Sequence, residues 1–346
     1  MAGEAALQLN YLIKPLAPWL DDPATEEVCI NRPGELFVRQ KGVFRREEVA
    51  FDYFDLEDIA TLAGALRKQD VGACNPLCAT ELPGGERLQI CMPPSVPAGT
   101  LSMTIRKPGN SVSPLAAVSN RYETTRWNRW DGRKEGTTRD YGELLALYDS
   151  GNLQAFLQKA VQSKLTILLC GATGSGKTTM SKTLIDAIPD HERLITIEDT
   201  LELVIRHSNH VRLLYSKDNI GQSRVTAEML LQACLRMKPD RILLQELRDD
   251  AAWTYINEVV SGHPGSITTI HGKTAEQAFK RLFTLVKGSS QGGQWDDKTL
   301  VSFLSSAVDL IIPFHNEGTL YQIQEVWFAP DAARRGENAG DLMLAA

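Results

Sequence analysis

Gly171-Ala172-Thr173-Gly174-Ser175-Gly176-Lys177-Thr178 is the stretch that decides how the second half of this chain folds. Its glycines stand at the spacing of a phosphate-cradling loop. The apolar run Leu165–Cys170 before it predicts a strand, and the pattern from Gly176 to about Ile188 predicts a helix. In that setting Gly174 and Gly176 let backbone N–H groups turn inward around phosphate oxygens, and the helix N-terminus adds a favourable dipole. Lys177 is placed to reach β- and γ-phosphates, and the Thr178 hydroxyl to ligate Mg2+. Residues Gly171, Ala172, Thr173, Gly174, Ser175, Gly176, Lys177, Thr178 and Thr179 are therefore the expected ATP-binding set. The competing reading is a glycine-rich turn with an incidental lysine.

Outward from the loop, strands and helices alternate. Helical spacing covers 144–164, 226–237, 251–261 and 275–285; strands are expected at 194–198, 241–245, 266–270, 308–313 and 320–328. Such alternation predicts a parallel sheet with helices on both faces. Ligands of these sheets meet residues just beyond the carboxyl ends of the strands. Three of the strands deliver candidates there. Ile242-Leu243-Leu244-Gln245-Glu246 ends in a carboxylate able to orient or polarise an attacking water. The strand at 194–197 runs into Glu198-Asp199 and then Glu202; carboxylates near a γ-phosphate suit Mg2+, which keeps part of its water shell. Glu198, immediately off the strand, is the choice among them. His271 follows the strand at 266–270 and is placed to hydrogen-bond a γ-phosphate, whereas His263 lies in a turn. Arg236, Arg241 and Arg248 flank the Glu246 strand, and surface salt bridging is the simpler reading for each.

The first 118 residues read differently. A helix at 7–20, short strands at 27–31, 36–40 and 43–49, a helix at 55–68, a hairpin over 77–91 and a strand at 101–106 make an α+β domain. Residues 119–142 are polar and lack an apolar period, which reads as a linker. Residues 143–330 form the second domain, and 331–346 carry no packing signal and are expected to fray. With 346 residues, 43% of them hydrophobic, the chain can fill two cores. A net charge of −6 argues against a dedicated nucleic-acid binder. No segment has the run of roughly 20 apolar residues that spans a bilayer, and the N-terminus lacks the pattern of a signal peptide, so a cytoplasmic protein is expected. The six scattered cysteines, Cys74 and Cys78 included, do not complete a metal site and read as free thiols.

Four segments together resemble one family, the secretion-system traffic ATPases: GATGSGKTT (171–179), ITIEDTLEL (195–203), ILLQELR (242–248) and SGHPGSITTIHG (261–272) look like its Walker A loop, acidic box, degenerate Walker B and His box. INRPGELF (30–37), GERLQICMPPS (85–95) and SMTIRKP (102–108) look like the type IV secretion and conjugation branch. The resemblance implies a RecA-like P-loop domain behind a separate α+β domain. It also implies a homo-hexameric ring with nucleotide held between the two domains of each subunit, Arg106 reaching the phosphates and Arg87 a further candidate. It further implies peripheral attachment to the cytoplasmic face of the inner membrane, with inner-membrane proteins of the apparatus and a coupling ATPase as partners. Gln245 departs from the family, where Gly is usual before the Walker B Glu; a side chain there is expected to crowd the Glu246 loop. The rival readings are a pilus retraction or type II motor, a DNA-stimulated helicase, and a nucleotide-binding scaffold without turnover.

Overall fold

The computed structural model describes residues 2–109, 141–217, 223–260, 262–318, 320–337 and 340–344; the linker expected at 119–142 falls almost wholly outside them. In the N-terminal half, β1 (Thr25–Arg32), β2 (Glu35–Gln40), β3 (Val43–Glu48), β4 (Leu77–Glu81), β5 (Arg87–Cys91) and β6 (Ser102–Arg106) form one antiparallel sheet in the order β3-β2-β1-β6-β5-β4. Helices Ala2–Leu12 and Tyr53–Leu66 cover it, burying Leu9, Leu56, Ile59, Ala60 and Ala63 against Val28, Ile30 and Ile90 of the sheet. Asp52 and Asp55 cap the second helix reciprocally, each side chain accepting the other's backbone N–H at 2.9 Å.

In the C-terminal half β7 (Ile167–Gly171) is central. It pairs in parallel with β11 (Ile267–Ile270) on one side and β12 (Leu310–Glu317) on the other; β13 (Leu320–Gln322) and β14 (Trp327–Phe328) extend β12 antiparallel. A second parallel group is β10 (Arg241–Leu244), β8 (Leu194–Glu198) and β9 (His210–Leu214). Past β10 the two groups join: Leu247 N–H donates to the Thr269 carbonyl at 2.8 Å, and the Thr269 hydroxyl donates to the Gln245 carbonyl at 2.9 Å. The three glutamate-, aspartate- and histidine-bearing strand ends therefore emerge at one edge beside the end of β7.

Several elements differ from the sequence expectation. The helix expected at 144–164 is two, Gly142–Asp149 and Leu153–Gln162, because Gly151 takes a left-handed φ of +70° and Asn152 starts a new helix by accepting from Ala155 N–H. Strand β9 and helix Asp297–Ala307 have no counterpart in the expectation. Residues 331–337 do not fray entirely: Asp331 and Ala332 are buried in helix Ala329–Arg334.

The two halves meet on Arg193, the residue that enters β8. Its side chain is fully buried, and its guanidinium donates to the Met237 carbonyl at 3.0 Å, to Asn31 Oδ1 at 2.8 Å and to Asn209 Oδ1, with Thr104 Oγ1 at 3.4 Å. Asn31 and Thr104 belong to the N-terminal sheet. Around this pin, Leu214 N–H donates to the Ser95 carbonyl at 2.9 Å, and Cys91 and Val96 enter the core of the C-terminal half. Burial pushes the Cys91 thiol up to about 12, against the opposing pull of Gln89 and Arg193. Arg193→Ala removes all four bonds and is expected to lower stability by at least about 3 kcal/mol, the low end for breaking a buried, hydrogen-bonded charge. Denaturant unfolding checks this, and an unchanged midpoint would show that the junction does not depend on the guanidinium.

Candidate active site

The loop 171–177 leaves β7 and turns straight into helix Lys177–Asp186. Two glycines are required sterically. A Cβ on Gly171 would stand 2.3 Å from Ser175 Oγ and 2.7 Å from the Phe314 carbonyl. Gly176 adopts φ +95°, a left-handed value that favours glycine, directly before the first helical residue. Lys177 folds back over the loop, its ammonium donating to the carbonyls of Gly171 at 2.7 Å and Ala172 at 2.8 Å. Burial lowers its pKa from the ordinary value, while the nearby Glu246 carboxylate pulls it back up.

A cavity of about 950 Å3 opens over the loop. Thr173 to Thr179 line it on one side, and Asp199, Glu202, Gln245, Glu246, Arg248 and His271 on the other. The P-loop, Walker B and His-box residues named from sequence are thus brought together. Glu246 is the centre of the far wall. One carboxylate oxygen is bonded by Arg248; the other is buried, with His271 Nε2 at 2.8 Å but without the alignment of a hydrogen bond. Arg248 also donates to Asp199 Oδ2 at 3.2 Å. It is therefore not the surface salt bridge that its spacing suggested, but the link between the acidic box and Glu246.

Glu198 does not sit where the sequence reading put it. Its side chain is fully buried and turned away from the cavity. Thr196 and Arg212 bond one oxygen, at 2.7 and 3.0 Å; Arg212 again and the N–H groups of Glu202 and Leu203 bond the other, at 2.8, 3.0 and 2.8 Å. A carboxylate so fully engaged has no lone pair left for a metal ion. It shapes the acidic loop, and the residues facing the cavity are Asp199 and Glu202. With the Thr178 hydroxyl they are oxygen donors lining one cavity, the donor type a hard cation prefers.

Gln245 does not crowd the Glu246 loop. Its amide oxygen accepts from Asp199 N–H at 3.2 Å and its amide nitrogen donates to Glu202 Oε2 at 3.1 Å, so it clasps the acidic loop to the Walker B strand. Tyr215 closes the cavity behind Asp199; burial, reinforced by the Asp199 charge, pushes its hydroxyl up to about 12. Asn316 and Tyr321, from the β12–β13 hairpin, were missed from sequence: Asn316 donates to the Gly174 carbonyl at 3.1 Å, and Tyr321 lines the cavity.

Arg106 is not brought to this cavity within the chain. It ends β6 in a separate cleft with Arg87, Arg236 and Lys238, its side chain 64% exposed and 3.9 Å from the buried Glu27. Burial raises the Glu27 pKa, against the pull of Lys238, Arg39, Arg106 and Arg193. The reason is the docking on Arg193, which sets the N-terminal sheet against the β8–β9 side. Among the described residues, every one that lines the P-loop cavity lies between 173 and 321, so none of them comes from the N-terminal half.

The chain is similar to known proteins over almost its whole length. The family described as "Type II/IV secretion system protein" matches residues 141–315. "Protein VirB11" of Rhizobium radiobacter is 63% identical over 336 residues, covering 97% of this chain and 98% of that protein. "Type IV secretion system protein VirB11" of Brucella suis is 40% identical over 342 residues, covering 96% and 93%. The crystal structure of the VirB11 ATPase from the Brucella suis type IV secretion system, in complex with sulphate, superposes with a TM-score of 0.88 at 40% identity, over 96% of this chain and 98% of that one. With the P-loop, the acidic residues and His271 gathered on one cavity, this chain belongs to the type II/IV secretion system protein family, among its type IV secretion ATPases.

Proposed function

We propose that the chain is the hexameric motor that energises a bacterial type IV secretion or conjugation apparatus, hydrolysing ATP with Mg2+ to drive pilus assembly and substrate translocation. The observation that carries this is the placement of the Glu246 carboxylate across one cavity from Lys177. A triphosphate in the loop brings its γ-phosphate towards that carboxylate. Glu246 then orients the attacking water, Lys177 and the loop N–H groups offset the charge that builds on the phosphate oxygens, and His271 reports the γ-phosphate from the neighbouring strand. Thr178, Asp199 and Glu202 are the residues that would hold Mg2+, which supplies further charge neutralisation when bound.

The ring is supported by what the single chain lacks. Arg106 and Arg87 face out of a cleft remote from their own P-loop, and in a ring they would meet the cavity of an adjacent copy. Among the described residues no helix is long and apolar enough to cross a membrane; attachment to the cytoplasmic face of the inner membrane would then run through inner-membrane proteins of the apparatus and a coupling ATPase. Light scattering with and without ATP and Mg2+, with phosphate release on the same fractions, tests the reading. A hexamer active without DNA is expected. An active monomer, or turnover seen only with DNA, would refute it.

A further inference from the structure

Tyr321 is a large aromatic side chain left 62% exposed, yet its position is fixed. Its ring comes within 3.3 Å of where a Cβ on Gly176 would stand. The hairpin that carries it is tied to the same loop by the bond from Asn316 to the Gly174 carbonyl at 3.1 Å. The ring therefore lies beside the P-loop backbone and lines the cavity.

The sheet order says which part of a nucleotide arrives there. In the order β11-β7-β12-β13, the strand leading to His271 lies on one side of β7 and the hairpin of Tyr321 on the other. A γ-phosphate has to point towards Glu246 and His271, on the β11 side. The rest of the nucleotide must then leave the loop on the β12–β13 side. The cavity does extend that way: it runs along the loop helix as far as Thr183, which at 1.5 Å per residue is about 9 Å beyond Lys177. Its volume of about 950 Å3 holds a whole nucleotide rather than a phosphate chain alone.

We propose that Tyr321 is the platform on which the nucleobase stacks, the aromatic face taking the base while the loop takes the phosphates. The proposal rests on the ATPase reading of the same cavity. Stacking on a π-face is tolerant of base identity and acts equally on the ground and transition states, so its loss should appear in KM and leave kcat in place.

The test is steady-state hydrolysis by the full chain carrying Tyr321→Ala or Tyr321→Phe, with inorganic tripolyphosphate as a competitor that has no base. Tyr321→Ala is expected to raise KM for ATP about five- to hundredfold, the range a stacked base gives. It should hold kcat within about twofold and leave tripolyphosphate inhibition unchanged; Tyr321→Phe should restore the wild-type KM. A wild-type KM in Tyr321→Ala overturns the proposal. So does an equal loss for ATP and tripolyphosphate, which would make the ring a prop for the loop. A wild-type chain that hydrolyses no ATP while tripolyphosphate still binds would instead sink the ATPase reading itself.

Discussion

Lys177→Ala is expected to reduce ATP hydrolysis by at least about 10²–10³-fold, the loss that follows removal of a single preorganised charge-stabilising donor. Among the described residues, Lys177 is the only lysine lining the cavity. Its ammonium is already held at the loop mouth by the Gly171 and Ala172 carbonyls, so it needs only a short swing to reach a phosphate. The fold should not suffer, because the two carbonyls released lie at the cavity edge, where water replaces the ammonium. Phosphate release and a thermal melt on the same preparation separate the two effects. Hydrolysis near the wild-type rate with an intact fold would mean that the ATP is turned over elsewhere.

Glu246→Gln should do something different: ATP binding is retained while turnover falls about 10²–10⁴-fold, the range for loss of a general base. The amide keeps the size of the carboxylate and can still accept from Arg248, but it cannot take a proton from water. The variant should therefore hold ATP without cleaving it. Equilibrium binding of a fluorescent ATP analogue, beside single-turnover hydrolysis, gives both quantities. Wild-type single-turnover kinetics would remove Glu246 from the reaction and move attention to Asp199 and Glu202, the other carboxylates on that wall.

The contrast between Glu246 and Glu198 shows what was legible before the structure. Both were read as carboxylates at strand ends, and the strands formed as expected. A strand end gives a place along the sheet edge but not the side to which a residue turns. In β8 the side chains of Thr196 and Glu198 share a face, as the 2.7 Å bond between them shows, so Glu198 turns inward and Asp199 is the first residue free to reach the cavity. The partner that holds Glu198 is Arg212 in β9, five residues of edge strand with too little apolar run to be recognised. The N-terminal sheet was legible from its alternation and turn residues. How that sheet docks was not, because Arg193 and Asn31 are 162 positions apart and nothing local marks either as a contact. Gln245 was legible only as an oddity of sequence; its amide matters because it meets a loop whose path no periodicity reveals.

The buried Arg193 also has a mechanical consequence. It stands at the entry of β8, and Asp199 stands at the exit, on the nucleotide cavity. The backbone between them is a β-strand of five residues, about 3.3 Å each, already near its full reach. An extended chain cannot stretch to absorb a pull. A pull on the Asp199 end along the strand axis would therefore be delivered at Arg193, and so at the N-terminal sheet hydrogen-bonded to it. In a motor, β8 would act as a tie rod built into the fold, with fuel and load separated by the length of a single strand.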